Sequence, residues 1–263
     1  MPLLTLLTDF GLTDYYVAAV KGTVLRLTPG TVLVDISHDV PAGDVETASF
    51  LLAAAFPSFP AGTVHLAVVD PGVGSERRML AARLRSDQAS GWLLAPDNGL
   101  LTPLLDRVEE IRSVEKVDLF LASPGQTFHG RDRFAPTASW LLRGESFAAL
   151  GPVVDDPVRL PIEPPRRAGE EIVGRVAHVD RYGNLVTNIP ASWLPPVPCR
   201  IEVGDRATRL HAACYAEIPS GEAAFLSGSL GTIELSLNGE SLAHRWSVTR
   251  GMAVRVVWSE RAA

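Results

Sequence analysis

Three apolar runs in the first half of the chain end at or beside an acidic residue. Asp9 follows "LLTLLT", Asp35 lies within "TVLVDIS", and Asp70 closes "TVHLAVVD". Carboxylates can bind hydroxyl groups, accept a proton or ligate a hard cation. A single aspartate in such a place is as often a helix cap or a turn former. Three of them in successive runs therefore indicate a functional site more strongly than any one does.

The stretch "AVVDPGVGSERR", residues 67–78, continues from Asp70 through a Pro-Gly-Val-Gly turn to Arg77 and Arg78. If the turn reverses the chain, an arginine can pair with Asp70 through charge-assisted hydrogen bonds and favour its ionised form. The glycine spacing matches neither the phosphate-binding loop nor the dinucleotide fingerprint. On local chemistry alone, the stretch is either a charged surface loop or an acid–arginine pair.

A histidine beside a predicted helix start is a further candidate. In "TFHGRDRF", His129 precedes a helix predicted to begin near Arg131 or Asp132. Imidazole titrates near neutrality and can act as a general base or proton relay, although it can equally serve the fold there. The second half of the chain adds polar side chains at predicted turns and strand ends: Asp180, Tyr182, Asn184, Tyr215 and Ser229.

A metal site is an alternative interpretation of the acidic residues. Asp9, Asp35, His38 and Asp70 are all of a type that binds hard cations. Asp9 lacks the adjacent second aspartate that many metal-dependent phosphatases use. We therefore expect no metal, and keep a metal-dependent α/β hydrolase as an alternative.

The elements that must position these residues change character along the chain. Residues 1–160 alternate continuous apolar strands with helical patterns, including a helix from an N-cap at Thr13 to Pro29, which predicts an α/β domain. Its sheet is expected to be mostly parallel with helices on both faces, so that strand ends meet at one edge. Residues 161–171 are rich in proline and charge and predict a linker. Residues 172–263, with short strands that include "TRLHAACY", predict a β-barrel or sandwich.

Composition narrows the possible functions. The 263 residues carry a formal net charge of −6 and no Lys/Arg-rich run, which argues against a nucleic-acid groove. There is no apolar run of about 18 residues and no basic leader, so we expect a cytoplasmic protein without a membrane partner. Cys199 and Cys214 lack metal-ligand spacing and are expected to be free thiols.

Six motifs in order resemble the S-adenosylmethionine (SAM) hydroxide adenosyltransferases, of the superfamily that includes SAM-dependent fluorinating and chlorinating enzymes. The motifs are "TDFGLTDYYVAAVKG", "VVDPGVGSERR", "APDNGLLTP", "TFHGRDRFAPTA", "DRYGNLVTNI" and the Ser/Gly/Asn-rich C-terminal segments. The resemblance implies an enzyme that hydrolyses SAM to adenosine and L-methionine by attack of water at the ribose 5′ carbon. SAM is the substrate, and no cofactor is implied. The resemblance also implies a homotrimer with sites at subunit interfaces.

The same resemblance implies roles for individual residues. Asp70, Arg77 and His129 match the set that handles the attacking water, and whether Asp70 or His129 is the formal base stays open. Arg78 is then expected to be solvated. Residues that match substrate contacts are Asp9 at the ribose, Tyr182 and Tyr215 beside the adenine, Asp180 and Ser229 at the methionine end, and Asn184 at the nucleoside.

Two departures from the halogenating relatives affect the substrate pocket. Leu230 stands where those enzymes have an arginine, and Gly43 where fluorinating enzymes have a tryptophan. Halogenating members carry a tyrosine at the position of Asp70, and an ionised aspartate there would repel a halide. Water is therefore the expected nucleophile, with a SAM-dependent halogenase as the alternative.

Overall fold

The computed structural model describes residues 1–85, 91–123 and 125–258. The chain divides into two compact units, Met1–Leu160 and Pro161–Ala263. The division falls at the start of the segment predicted to be a linker.

The first unit is built on a six-stranded mixed sheet with strand order β2-β1-β3-β5-β4-β6. Its strands are β1 (Leu3–Thr8), β2 (Val32–Ser37), β3 (Thr63–Val68), β4 (Met79–Leu84), β5 (Gly91–Pro96) and β6 (Val108–Ser113). The pairs β1–β2, β1–β3 and β3–β5 are parallel, whereas β4 is antiparallel to β5 and β6. The α/β unit is confirmed, but its sheet is mixed because the short connections around β4 cannot make a parallel crossover.

Helices lie over both faces of this sheet. They are α1 (Tyr16–Leu27), α2 (Val45–Ala55) and α3 (Ala135–Leu142). Along β1, Leu4 and Leu6 pack in the cluster that contains residues of α1 and α3, and Leu7 packs in the cluster of α2. This alternation follows from the period of two along a strand. The predicted N-cap Thr13 is wrong: α1 begins at Tyr16 without a side-chain cap.

Buried His65 on β3 makes the first unit sensitive to acid. Its Nδ1 lies 2.9 Å from the Thr5 hydroxyl, and burial lowers its pKa from 6.5 to about 4. The unfolded chain therefore binds a proton that the folded chain does not, and stability is lost as the pH falls below 6.5. We expect a loss of about 3 kcal/mol in the free energy of unfolding between pH 6.5 and 4. Denaturant unfolding across this range should show a smaller loss in His65→Asn, and parallel curves would contradict the assignment.

The second unit is a single antiparallel sheet of eight strands. They are β7 (Arg166–Ala168), β8 (Glu171–Val179), β9 (Leu185–Pro190), β10 (Cys199–Val203), β11 (Arg206–Thr208), β12 (Ala223–Ser227), β13 (Thr232–Leu237) and β14 (Ala253–Trp258). The order is β11-β10-β14-β8-β9-β13-β12, with β7 on β8. The two end strands approach each other, since the Thr208 hydroxyl donates to the Ala223 carbonyl at 2.6 Å. The sheet thus curls into a near-barrel, and a short helix α4 (Leu242–Trp246) packs on it.

Two local expectations for this half differ from the structure. Residues 161–171 were predicted to be a linker, but they contain β7 and the first residue of β8. The strand forms because Arg166–Ala168 pairs with the start of β8. In "TRLHAACY" the strand ends at Thr208, His211 forms only an isolated bridge with Phe225, and a 3₁₀ helix begins at Tyr215. Cys199 and Cys214 are free thiols, as expected. Among the described residues, no helix is both long and apolar enough to cross a membrane.

Candidate active site

The Pro-Gly-Val-Gly segment after Asp70 reverses the chain. Val73 N–H donates to the Asp70 carbonyl at 3.2 Å, and Ser75 N–H donates to the Gly72 carbonyl at 3.1 Å. The Ser75 hydroxyl also donates to the Gly72 carbonyl at 2.7 Å and accepts from Arg77 N–H at 3.3 Å. Two overlapping turns, stabilised by the Ser75 side chain, therefore bring Arg77 back to Asp70.

Asp70 and Arg77 form a two-point ion pair. Arg77 Nε donates to Asp70 Oδ1 at 2.8 Å, and Arg77 Nη2 donates to Asp70 Oδ2. Both side chains are largely removed from solvent, with 4% of the Asp70 side chain and 10% of the Arg77 side chain exposed. The fork geometry holds the carboxylate in one orientation, and the guanidinium charge stabilises it as an anion. The turn thus presents an ionised, fixed carboxylate at the end of β3.

His129 completes a chain of three side chains. Arg77 Nη2 lies 2.9 Å from His129 Nδ1. His129 immediately precedes a π-helical turn, Gly130–Phe134, that leads into α3. Arg77 also lies over the Phe134 ring at 5.9 Å from its centroid. The helix predicted to begin near Arg131 or Asp132 therefore starts as a π-turn, an irregularity often found at functional sites.

The chemical state of His129 follows from its surroundings. The residue is 3% exposed, and its Nε2 has no hydrogen-bond partner among the described residues. Burial and the neighbouring cations Arg133 and Arg77 lower its pKa, against opposing effects of Asp70 and Asp132. Because a guanidinium only donates hydrogen bonds, Nδ1 must accept from Arg77, and neutral His129 carries its proton on Nε2.

The motif "APDNG" holds both ends of the Asp70–Arg77 loop. Asn98 Nδ2 donates to the Val69 carbonyl at 2.8 Å, immediately before Asp70. Asp97 Oδ2 accepts from Arg78 Nε at 2.7 Å, immediately after Arg77. The expectation that Arg78 is solvated holds only in part: 34% of its side chain is exposed, but it pairs with buried Asp97 and with exposed Asp156.

Asp9, Asp70 and His129 line one cavity of about 260 Å³ in the first unit. Its wall is aromatic, with Tyr16 and Phe128 in edge-to-face contact at 5.2 Å between centroids. The other aromatic residues of the wall are Phe10 and Tyr15. These rings were not singled out in the sequence analysis. The run "DYY", residues 14–16, lies five residues after Asp9 and could have indicated an aromatic wall beside it.

Asp9 is held at the cavity by a backbone donor. Its Oδ2 accepts from Gly43 N–H at 2.8 Å. Gly43 has φ +72°, and a Cβ there would meet Pro71 at 3.7 Å. Glycine is favoured because an L side chain rarely adopts this backbone conformation. Gly43 thus combines this backbone conformation with the main-chain anchor of Asp9.

A second cavity, of about 680 Å³, lies in the second unit. Four of the candidate residues line it: Asp180, Tyr182, Asn184 and Tyr215. Asp180 Oδ1 accepts from the backbone N–H groups of Tyr182 and Asn184 at 2.9 and 2.8 Å. Between them, Gly183 has φ +82°, and a Cβ there would lie 1.9 Å from Ser241 Oγ. The predicted turn therefore requires glycine.

The Asn184 amide is oriented by two fixed partners. Asp180 Oδ2 accepts from Asn184 Nδ2 at 2.9 Å, and the Ser236 hydroxyl donates to Asn184 Oδ1 at 2.7 Å. A carboxylate only accepts, so the amide nitrogen must face Asp180. The cavity consequently contains an amide whose donor and acceptor ends are assigned.

Tyr215 is anchored by a residue that the sequence analysis missed. Its hydroxyl donates to buried Glu234 on β13, which is 6% exposed. Burial raises the pKa of Tyr215, and the carboxylate of Glu234 raises it further. Burial also raises the pKa of Glu234, against the opposing effect of the Tyr215 hydrogen bond. Glu234 alternates along β13 with the core residues Ile233 and Leu235, so the sequence pattern places it on the polar face and gives no signal of its burial.

Three candidates, Ser229, Asp35 and His38, stand apart from these clusters. Ser229 and Leu230 lie in the turn between β12 and β13, exposed, and are not among the described residues that line the second cavity. Asp35 and His38 contact Lys21 and Thr8 instead of Asp70. In the described part of the chain, no group of three or more His, Cys, Asp or Glu side chains could hold a metal ion.

Comparison with known proteins connects these clusters to a family. The SAM hydroxide adenosyltransferase N-terminal domain matches residues 4–151, and its C-terminal domain matches residues 174–255. An (R)-S-adenosyl-L-methionine hydrolase of Salinispora tropica is 38% identical over 97% of this chain and 97% of that protein. One of Thermus thermophilus is 39% identical over 95% of this chain and 98% of that protein.

Structural comparison agrees with the sequence matches. A crystal structure of an uncharacterized conserved protein from Thermotoga maritima has a TM-score of 0.89 at 33% identity, covering 97% of this chain and 100% of that one. Fluorinases are more distant, as in the 28% identity with that of Nocardia brasiliensis, over 97% of this chain and 96% of that protein. The chain therefore belongs to the SAM hydroxide adenosyltransferase family.

Proposed function

We propose that this protein hydrolyses SAM to adenosine and L-methionine. The observation that carries the proposal is the buried Asp70–Arg77–His129 arrangement, in which Asp70 and His129 share a cavity with Asp9. A water oxygen attacks the ribose C5′, and the C5′–S bond breaks with its electron pair on sulfur. The leaving group is a neutral thioether, so it requires no general acid. The net reaction converts one cationic SAM and one water into adenosine, methionine and a proton.

Asp70 is the proposed proton acceptor. His129 Nδ1 is occupied by the Arg77 donor, and its Nε2 carries the proton of the neutral ring. A buried donor without a protein partner is satisfied by water or ligand. We assign Nε2–H to a hydrogen bond onto the oxygen of the attacking water, which leaves Asp70 to take the water proton. In this proposal Asp70 is the base and His129 is the hydrogen-bond donor to the water, a distinction that the sequence analysis left open.

The remaining contacts of the substrate divide between the two cavities. Asp9 accepts hydrogen bonds from the ribose hydroxyls, and the aromatic wall around Tyr16 and Phe128 attracts the sulfonium cation. In the second cavity Tyr182 and Tyr215 flank the adenine, Asn184 contacts the nucleoside, and Asp180 binds the methionine end. Ser229 as a methionine contact and the homotrimer with interface sites remain predictions of the family resemblance, and the cytoplasmic location remains a prediction from the sequence pattern.

The two units take different parts in this proposal. Residues 1–160 supply the water-handling side chains, and residues 172–263 complete the substrate site. A halogenase is disfavoured because the carboxylate of Asp70 is fixed and ionised where a halide would have to bind.

Hydrolysis in ¹⁸O-labelled water tests the activity and the bond that breaks. Purified protein is incubated separately with the R and S sulfonium epimers of SAM, because the relatives named above are (R)-S-adenosyl-L-methionine hydrolases. We expect one ¹⁸O atom in the adenosine 5′-hydroxyl, unlabelled methionine, and preference for the R epimer. No adenosine, or a 5′-halogenated nucleoside when chloride or fluoride is added, would refute the proposal.

Paired substitutions of His129 test its donor role. His129→Gln can place an amide N–H near the former Nε2, whereas His129→Asn keeps only an acceptor for Arg77. We expect kcat for His129→Gln to exceed that of His129→Asn about tenfold, the value of about one hydrogen bond. Because the pKa of His129 is lowered, wild-type kcat should not follow an ordinary histidine titration as the pH falls through 6.5. Equal rates for the two variants would contradict a donor at Nε2.

A further inference from the structure

Asp35 and His38, at the end of β2, have no part in the chemistry above yet form a defined cluster. Lys21 Nζ on α1 donates to Asp35 Oδ2 at 2.6 Å. His38 Nε2 lies 3.1 Å from Asp35 Oδ1, an ion-pair distance although the N–H is not aligned on that oxygen. Burial alone would raise the pKa of Asp35, but the contacts of Lys21 and His38 lower it. The cluster is therefore built around an ionised carboxylate.

His38 connects this cluster to Thr8, the last residue of β1. Its Nδ1 lies 2.8 Å from Thr8 Oγ1, and both residues are buried. With Nε2 facing a carboxylate, the neutral ring holds its proton on Nε2 and accepts the Thr8 hydroxyl at Nδ1. Thr8 Oγ1 in turn accepts from Phe10 N–H at 3.3 Å. The direction of each hydrogen bond from Phe10 through Thr8 to His38 is thus assigned, and an ion-pair distance joins His38 to Asp35.

His38 holds the chain on both sides of Asp9. Before it, the Thr8 side chain is held by the His38 ring; after it, Gly11 N–H donates to the His38 carbonyl at 2.9 Å. Asp9 and Phe10, the two residues between these contacts, both line the 260 Å³ cavity. The β1–β2 register also shifts by one residue between Leu6 and Leu7, directly before this segment. Such irregularities re-aim side chains near functional sites.

We propose that Lys21, Asp35 and His38 form a positioning relay that fixes Asp9, through Thr8, in the orientation required to bind the ribose hydroxyls. His38 is a positioning residue, since it acts through Thr8 and touches no reacting atom. The inference rests on the proposed role of Asp9. It predicts a specific binding defect. When Asp9 is misplaced, only ligands that carry ribose hydroxyls should bind more weakly.

Binding of adenosine and 2′,3′-dideoxyadenosine, measured by calorimetry, tests the relay without turnover. His38→Gln can reach Asp35 but loses the contact to Thr8, and Thr8→Val removes the hydroxyl from the other side. Each should raise the Kd for adenosine about tenfold, the value of one hydrogen bond to a charged group. The Kd for dideoxyadenosine should stay within about twofold of wild type. His38→Asn, whose amide can still contact Thr8, should recover most of the adenosine affinity.

Kinetics with SAM provide the second readout. In His38→Gln and Thr8→Val we expect KM to rise about tenfold while kcat falls less than about threefold. Equal losses for both nucleosides, or wild-type affinity in Thr8→Val, would overturn the relay. A wild-type protein that binds adenosine but does not hydrolyse SAM would refute the proposed function and leave the relay intact. SAM hydrolysis together with unchanged adenosine discrimination in the variants would refute the relay alone.

Discussion

Replacing Asp70 with asparagine is expected to reduce kcat for SAM hydrolysis about 10²- to 10⁴-fold, the usual contribution of a positioned general base. The amide keeps the shape of the side chain but cannot accept the proton of the attacking water. Arg77 then loses its carboxylate partner, so His129 also loses part of its support. Adenosine release by Asp70→Asn, followed by chromatography, measures the effect.

The matched control makes the same change in an exposed ion pair. Asp118 pairs with Lys116 at 2.8 Å on the surface, and Asp118→Asn should hydrolyse SAM at the wild-type rate. SAM binding, measured by calorimetry, separates loss of chemistry from loss of fold in Asp70→Asn. Retention of more than about a tenth of wild-type kcat by that variant would exclude Asp70 as the base.

Arg77→Lys should reduce kcat about a hundredfold although the positive charge is kept. A guanidinium makes two contacts to Asp70 and one to His129, and an ammonium cannot reproduce that planar fork. The loss corresponds to one or two charge-assisted hydrogen bonds of about 1.5–3 kcal/mol each. Steady-state kinetics with SAM, on protein whose fold has been checked by thermal unfolding, tests this expectation.

The control for Arg77→Lys is an arginine on the surface of the same unit. Arg83 on β4 pairs with exposed Glu109 and with Glu110. Arg83→Lys should leave kcat unchanged, because exposed ion pairs contribute little and Lys retains the charge. A similar loss of rate in both variants would indicate a general effect of the substitution and would contradict a specific role for the Arg77 fork.

The sequence predicted the site best at residues 70–77, where the end of a buried strand and the residues of a turn determine the path of the chain. Asp70 could be placed at a sheet edge because a buried strand ends there, and Arg77 could be paired with it because the intervening turn residues favour chain reversal. The contact between Arg77 and His129 joins residues 52 positions apart, and no local pattern encodes it. Their association was expected only from the family resemblance.

Strand direction and buried polar pairs were harder to predict. The run that forms β4 is as apolar as the parallel strands of the same sheet, and hydrophobic periodicity carries no information on strand direction. The short connections on either side of it were the available signal. Glu234 reads as an ordinary charged residue until the tertiary fold buries it against Tyr215. Likewise, "TRLHAACY" is apolar enough for a strand, but the structure ends the strand at Thr208 and begins a 3₁₀ helix at Tyr215.

The shared contacts of Arg77 also restrict how such a protein can change during evolution. Loss of Asp70 alone leaves a buried guanidinium without its counter-ion, and breaking a buried ion pair typically costs about 3–5 kcal/mol. That is a large part of the total stability of an ordinary domain, about 5–15 kcal/mol. A lineage that exchanges water for another nucleophile must therefore substitute Asp70 and Arg77 together, or gain stability elsewhere first. The order of mutations is constrained by epistasis within a single loop.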